Sequence, residues 1–125
     1  MNHLLMSSIL TSLLSLFGCQ ERPAGFKTVD AGEFAKTIAD TTVVVLDVRT
    51  AEEYEQGHIS RAMNVDVLQS GFSGKVSKLV PKGKTIALYC RSGNRSKKAA
   101  AALCNDYSVI ELGTGYNGWL KHSAR

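Results

Sequence analysis

Thr85-Ile86-Ala87-Leu88-Tyr89-Cys90-Arg91-Ser92-Gly93-Asn94-Arg95-Ser96 is the segment from which the fold is read. Thr85 to Tyr89 form an unbroken strand-forming run. Such a run suits a central strand covered on both faces. Ser96 to Asn105, with its run of alanines, is a good helix former. A short polar loop joins the two. Cys90 therefore lies at the carboxyl end of a strand, before the N-terminus of a helix. In open α/β sheets ligands bind at that end of the strands.

The flanking sequence continues the alternation. Phe26 to Val29 is a short strand candidate. Asp30-Ala31-Gly32-Glu33 has the spacing of a capping box and opens a helix to about Ala39. Thr42 to Asp47 is β-branched and unbroken, a second buried strand. Thr50-Ala51-Glu52-Glu53 is another capping box, and Gly57 ends its helix. Residues 72–79 form a weaker helix, closed by Pro81 and Gly83. Ser108 to Ile110 is a last short strand, and Gly113 to Gly118 reads as a loop before Trp119. Strands alternating with helices predict an α/β domain with a mostly parallel central sheet flanked by helices.

The chemistry resides in the loop. Backbone N–H groups between a strand and a helix converge on one point and form an anion-binding nest. Gly93 allows backbone conformations closed to other residues. Arg91, Arg95 and the helix dipole add positive potential. Together they predict a lowered pKa for Cys90 and a usable nucleophile. Ser92, Gly93 and Asn94 complete the loop.

The chain has 125 residues and a net charge of +4. Its lysines and arginines are spread out, without the interleaved aromatics of a nucleic-acid platform, so no nucleic-acid partner is expected. A mild positive field suits a small anionic substrate. The three cysteines, Cys19, Cys90 and Cys104, lack metal-ligand spacing, and no metal is expected. A disulfide between Cys90 and Cys104 stays open on sequence grounds and would block the chemistry of Cys90. Otherwise Cys104 reads as a small core residue.

Met1 to Gly18 carry no Asp, Glu, Lys or Arg. The apolar stretch from Leu4 to Phe17 is short for a membrane span and reads as an export signal over residues 1–18. Leu16-Phe17-Gly18-Cys19 resembles the bacterial lipoprotein lipobox. That resemblance implies cleavage before Cys19, lipid attachment there, and a tether over residues 19–25. Phe17 and the absence of Lys or Arg before Leu4 depart from the pattern, so an ordinary signal peptide or a retained apolar helix remains open. Gln20, where some inner-membrane lipoproteins carry Asp, favours the outer membrane. The expected location is the cell envelope, with the domain facing the periplasm.

Cys90-Arg91-Ser92-Gly93-Asn94-Arg95-Ser96 resembles the active-site loop of the rhodanese family. Asp47-Val48-Arg49, Glu53-Tyr54, Gly57-His58-Ile59, Ala62 and Asn64 follow the family's order and spacing. So does Leu112-x-x-Gly115-x-x-x-Trp119. The resemblance implies a rhodanese-like domain over residues 26–122. It implies sulfur transfer from thiosulfate or a similar donor to cyanide or a thiol, through a Cys90 persulfide and without a cofactor. Asp47, Arg49 and His58 are supporting residues; His58 reads as a hydrogen-bonded structural histidine rather than a base, and Trp119 as core. Two departures stand out. Thr114 takes the first position of a usual Gly-Gly pair and would be strained if that position needs positive φ. Arg61 replaces a frequent Gly and puts the local turn in question.

Two other readings compete. Tyrosine phosphatases resemble this Cys…Arg loop, but with five intervening residues; here four separate Cys90 from Arg95. The smaller nest suits a sulfur atom better than a tetrahedral oxyanion. A non-enzymatic sulfur carrier or protein-interaction module is the reading from another class.

Overall fold

The computed structural model describes Cys19 and residues 25–124. The expected export signal of residues 1–18, and residues 20–24 of the expected tether, lie outside the described residues. Five strands, β1 (Lys27–Val29), β2 (Val44–Asp47), β3 (Met63–Asn64), β4 (Thr85–Tyr89) and β5 (Ser108–Leu112), form one sheet in the order β1-β5-β4-β2-β3. Every strand pair is parallel. The connections hold α1 (Ala31–Ile38), α2 (Ala51–Gln56), α3 (Phe72–Leu79) and α4 (Asn94–Leu103), and α5 (Gly115–Ser123) follows β5.

β4 lies at the centre of the sheet and supplies both cores. Ile86, Leu88 and Cys90 face one side, with Val76 of α3 and Leu103 of α4. Ala87 and Tyr89 face the other, with Phe34 of α1. The period-two alternation of a strand therefore points Cys90 toward α3 and α4. Trp119 packs edge-on against Phe34, their ring centroids 6.1 Å apart.

The helix starts follow local chemistry. Asp30 caps α1 by accepting from Glu33 N at 2.9 Å, one half of the expected box. Thr50 and Glu53 form the complete reciprocal box at the start of α2. α4 begins at Asn94, two residues before the expected Ser96, because Gly93 at φ 108° turns the chain directly into the helix. The expected loop over 113–118 is shorter, since α5 starts at Gly115.

Both departures from family pattern are accommodated. Thr114 has φ −91°, an ordinary right-handed value, and the positive φ of 64° falls on Gly115. Thr114 is therefore not strained. Arg61 does adopt the left-handed region, at φ 59°. Its guanidinium donates to the carbonyls of Val43, Ile38 and Asp40, which ties the turn to the end of α1.

The cysteines pair differently from the possibility left open in the sequence. Cys90 is free, and Cys104 at the end of α4 forms a disulfide with Cys19. Cys104 is half-buried rather than a core residue. A sulfur in a disulfide has no valence for the thioether of a lipid anchor, so these two uses of Cys19 exclude each other. Alkylation under native, non-reducing conditions should label Cys90 alone if the disulfide forms, and all three cysteines after reduction and denaturation. A lipidated Cys19 leaves Cys104 open to labelling without reductant. The 85-residue separation of the pair leads us to expect a stability loss of about 2–4 kcal/mol on reduction, read by denaturant titration.

Candidate active site

Cys90 follows β4 directly and is 1% exposed. Its sulfur is met by the helix start. Gly93 N–H donates to Sγ at 3.1 Å, and Ser96 Oγ lies 3.4 Å away. Burial alone would push the Cys90 thiol up. The Ser96 hydroxyl and the N–H groups of Ser96, Gly93 and Ser92 outweigh burial, and the pKa is lowered. The direction agrees with the sequence reading: the donors of the nest lead, and the charge of Arg95 also interacts with that of Cys90.

The loop is held from below by the start of α5. Tyr116 N donates to Cys90 O at 2.8 Å, and Asn117 N to Arg91 O at 3.1 Å. A Cβ on Gly115 would meet Arg91 O at 2.3 Å, and one on Gly93 would meet Gly113 O at 2.3 Å. Both positions also have positive φ, so close approach and backbone angle each demand glycine.

Asp47 and Arg49 fix the neighbouring wall. Both are buried, and Arg49 donates to both Asp47 oxygens and to Gly57 O at 2.6 Å. Burial opposes the charge of Arg49, but the hydrogen bonds and charge of Asp47 hold its pKa above the ordinary value. The Arg49 guanidinium lies 4.4 Å from the Tyr116 ring centroid, a cation–π contact reaching α5. Asn64 Nδ2 donates to the carbonyls of Asp47 and Arg49, both at 3.0 Å. Their work is scaffolding. His58 stacks on Tyr54, with Nδ1 2.9 Å from Tyr54 O, and is exposed. It is not at the sulfur.

The two loop arginines separate. Arg95 forms a two-pronged ion pair with Glu53, at 2.7 and 3.0 Å, joining α4 to α2. Glu53 thus holds the Arg95 guanidinium in place, and the charge of Arg95 still acts on Cys90. Arg91 is exposed and, among the described residues, its guanidinium makes no hydrogen bond or ion pair. It lines a cavity of about 230 Å³ with Arg49, Glu53, Tyr116, Asn117 and Leu120. Ser92 and Asn94 of the loop are exposed. No cluster of metal-ligating side chains occurs among the described residues.

Glu111 was missed in the sequence. It is fully buried on β5, and its carboxylate accepts from Ser96 Oγ at 2.7 Å, Lys97 Nζ at 3.2 Å and Thr28 Oγ1 at 2.7 Å. One acidic residue in Ser-Val-Ile-Glu-Leu gives no hint of this; only the register that sets Glu111 beside Thr28 and Leu88 does so.

A parallel sheet that presents a thiol of lowered pKa to a helix start defines a class: α/β proteins that work with an activated cysteine in an anion loop. Within that class the chain belongs to the rhodanese-like family. The family model, described as a rhodanese-like domain, matches residues 30–122. The chain is 36% identical over 88 residues to thiosulfate sulfurtransferase 16, chloroplastic, of Arabidopsis thaliana, covering 62% of this chain and 73% of that one. It is 33% identical over 97 residues to a sulfurtransferase of Allochromatium vinosum, covering 75% and 88%. Proteins named tRNA uridine(34) hydroxylase also match, but in that of Pelagibacter ubique the match covers 32% of the relative. The fold is similar to the solution structure of a rhodanese-like domain from Anabaena, with a TM-score of 0.68 at 23% identity over 76% of this chain and 74% of that one.

The Glu53–Arg95 pair gives a pH-dependent prediction. The Arg95 hydrogen bonds, set against burial, hold the Glu53 carboxyl down to about 2, from an ordinary 4.5. A depressed carboxylate pKa stabilises the fold above the ordinary value, and the gain is lost as pH falls toward 2. Glu53→Gln should lower stability near neutral pH by about 2 kcal/mol. That difference should shrink through pH 4 to 2 in thermal unfolding. A difference independent of pH would mean that the ion pair contributes nothing.

Proposed function

We propose that the protein is a sulfurtransferase that moves sulfane sulfur from thiosulfate, or a similar anionic donor, to cyanide or a thiol through a Cys90 persulfide. The observation that carries this reading is the convergence of backbone N–H groups and one hydroxyl on a single buried sulfur. The Cys90 thiolate attacks the outer sulfur of thiosulfate. A Cys–S bond forms, the bond between outer and central sulfur breaks, and sulfite leaves with the electron pair. The terminal sulfur of the persulfide carries the negative charge, which the loop N–H groups stabilise. The acceptor then attacks that sulfur, the S–S bond breaks, and its electron pair returns to Cys90. No net oxidant or reductant is consumed, which is consistent with chemistry needing no cofactor. Two half-reactions on one sulfur give ping-pong kinetics.

Donor capture falls to Arg91, an exposed residue that lines the cavity. The relatives named sulfurtransferase support the class of reaction. Export, expected from residues 1–18, belongs to the same proposal: a Cys19–Cys104 disulfide and a lipid anchor on Cys19 both require passage out of the cytoplasm. Lipid attachment on the outer membrane remains the anchored form of this proposal.

A thiosulfate:cyanide assay on the mature chain tests the reading. Cys90→Ser should abolish thiocyanate formation. Arg91→Ala should lower kcat/KM for thiosulfate about ten- to a hundred-fold, and Arg95→Ala should cost stability first. Aryl phosphate hydrolysis should be negligible in the wild type. Equal activity in wild type and Cys90→Ser sinks the proposal.

A further inference from the structure

Asp47, Arg49, Ser96 and Glu111 are buried polar residues. The first two brace the wall of the site, and Ser96 touches the sulfur. Glu111 has no part in the steps above, yet one hydroxyl separates it from the nucleophile. That hydroxyl has two claims on a single hydrogen. Ser96 Oγ is 2.7 Å from Glu111 Oε1 and 3.4 Å from Cys90 Sγ. We propose that Glu111 is a positioning residue that governs which partner the Ser96 hydrogen faces, and so sets how readily Cys90 ionises.

While Cys90 is a thiol, its S–H donates to Ser96 Oγ, and Ser96 donates to Glu111. When Cys90 ionises, one proton leaves Sγ for solvent. The Ser96 hydrogen then turns from Glu111 to Sγ without leaving its oxygen. Glu111 stays satisfied, because Lys97 Nζ and Thr28 Oγ1 still donate to it. The carboxylate thus competes for the best side-chain donor of the thiolate, and its negative charge opposes a second one nearby. Lys97 moderates that repulsion. The other charged groups around the loop are Arg91, Arg95 held by Glu53 of α2, Asp66, whose charge acts on Arg95, and the Asp47–Arg49 pair at the end of β2. β1 offers the cluster only the uncharged Thr28.

This opposition has a use. Nucleophilicity of a thiolate falls as its pKa falls, and exchange is fastest when the pKa lies near ambient pH. The N–H nest brings Cys90 down; Glu111 stops the descent. The sulfur is kept both charged and reactive. The inference rests on the reading of Cys90 as a nucleophile, but not on the identity of the sulfur donor.

The test is the pH dependence of Cys90 alkylation by iodoacetamide on the whole mature protein, with the labelled peptide identified by mass spectrometry. Glu111→Gln should lower the midpoint by about one pH unit, since it removes the charge and frees Ser96 for the sulfur. Its plateau rate should fall about threefold for each unit of midpoint. Lys97→Met should raise the midpoint, because the carboxylate loses its counter-charge. A purely structural glutamate moves neither midpoint in these opposite directions. A folded Glu111→Gln protein with an unchanged or higher midpoint overturns the inference. If Glu111→Gln does not fold, Lys97→Met decides alone: an unchanged or lower midpoint overturns it. Alkylation needs no donor, so loss of the thiosulfate assay and loss of these shifts are separate outcomes.

Discussion

A thiolate that is 1% exposed has almost no water to solvate it. Hydrogen-bond donors of the protein must replace that water, or the sulfur stays protonated and inert. Here the donors are the N–H groups of Ser92, Gly93 and Ser96 and the Ser96 hydroxyl. They are in place because α4 starts at once after Gly93, so its first N–H groups have no helical partner and are free to face the sulfur. Most features of the domain can be traced to that requirement. β4 is central and buried, and its end fixes Cys90. Gly93 gives the abrupt turn. Gly115 lets the start of α5 press on the loop backbone, and the bonds to Cys90 O and Arg91 O stop the nest from spreading.

The polar groups around the sulfur form two sets with different tasks. Asp47, Arg49, Asn64 and Tyr116 knit the ends of β2 and β3 to α5, and Arg95 with Glu53 knits α4 to α2. These contacts hold the walls while the loop keeps its shape. Ser96, Glu111, Lys97 and Thr28 form the second set and touch the sulfur through one hydroxyl. Arg91 stands outside both and lines the cavity. A site so arranged separates capture of an anion from stabilisation of the charge on sulfur.

Much of this was legible in the sequence because it rests on local rules. A β-branched run gave β2, an unbroken strand-forming run gave β4, capping residues gave the starts of α1 and α2, and the strand–loop–helix order gave the position of Cys90. What escaped depends on contacts between distant residues. β3 is two residues long, below the reach of any periodicity. α5 begins with Gly-Tyr-Asn-Gly, a poor helix former by propensity, and forms because it docks on the nucleophile loop. Arg91 and Arg95 look alike in a linear motif, and only the position of Glu53 separates them. Glu111 lies just past the strand expected over Ser108 to Ile110, and only the longer β5 and its register set it behind Ser96. Cys19 and Cys104 are 85 residues apart, and no spacing rule joins them. The lipobox resemblance of residues 16–19 and the disulfide at Cys19 address the same sulfur from two sides.

The central claim is that the nest around Cys90 holds a sulfur atom in transit. It is tested most directly by incubating the mature protein with thiosulfate alone, removing the excess, and weighing the Cys90 peptide by mass spectrometry without reductant. The account predicts a gain of about 32 Da, one sulfur atom. Cyanide should remove it with one equivalent of thiocyanate formed, and dithiothreitol should remove it as well. A Cys90 peptide of unchanged mass after exposure to thiosulfate, in folded protein with a reactive Cys90 thiol, would contradict thiosulfate-driven persulfide formation.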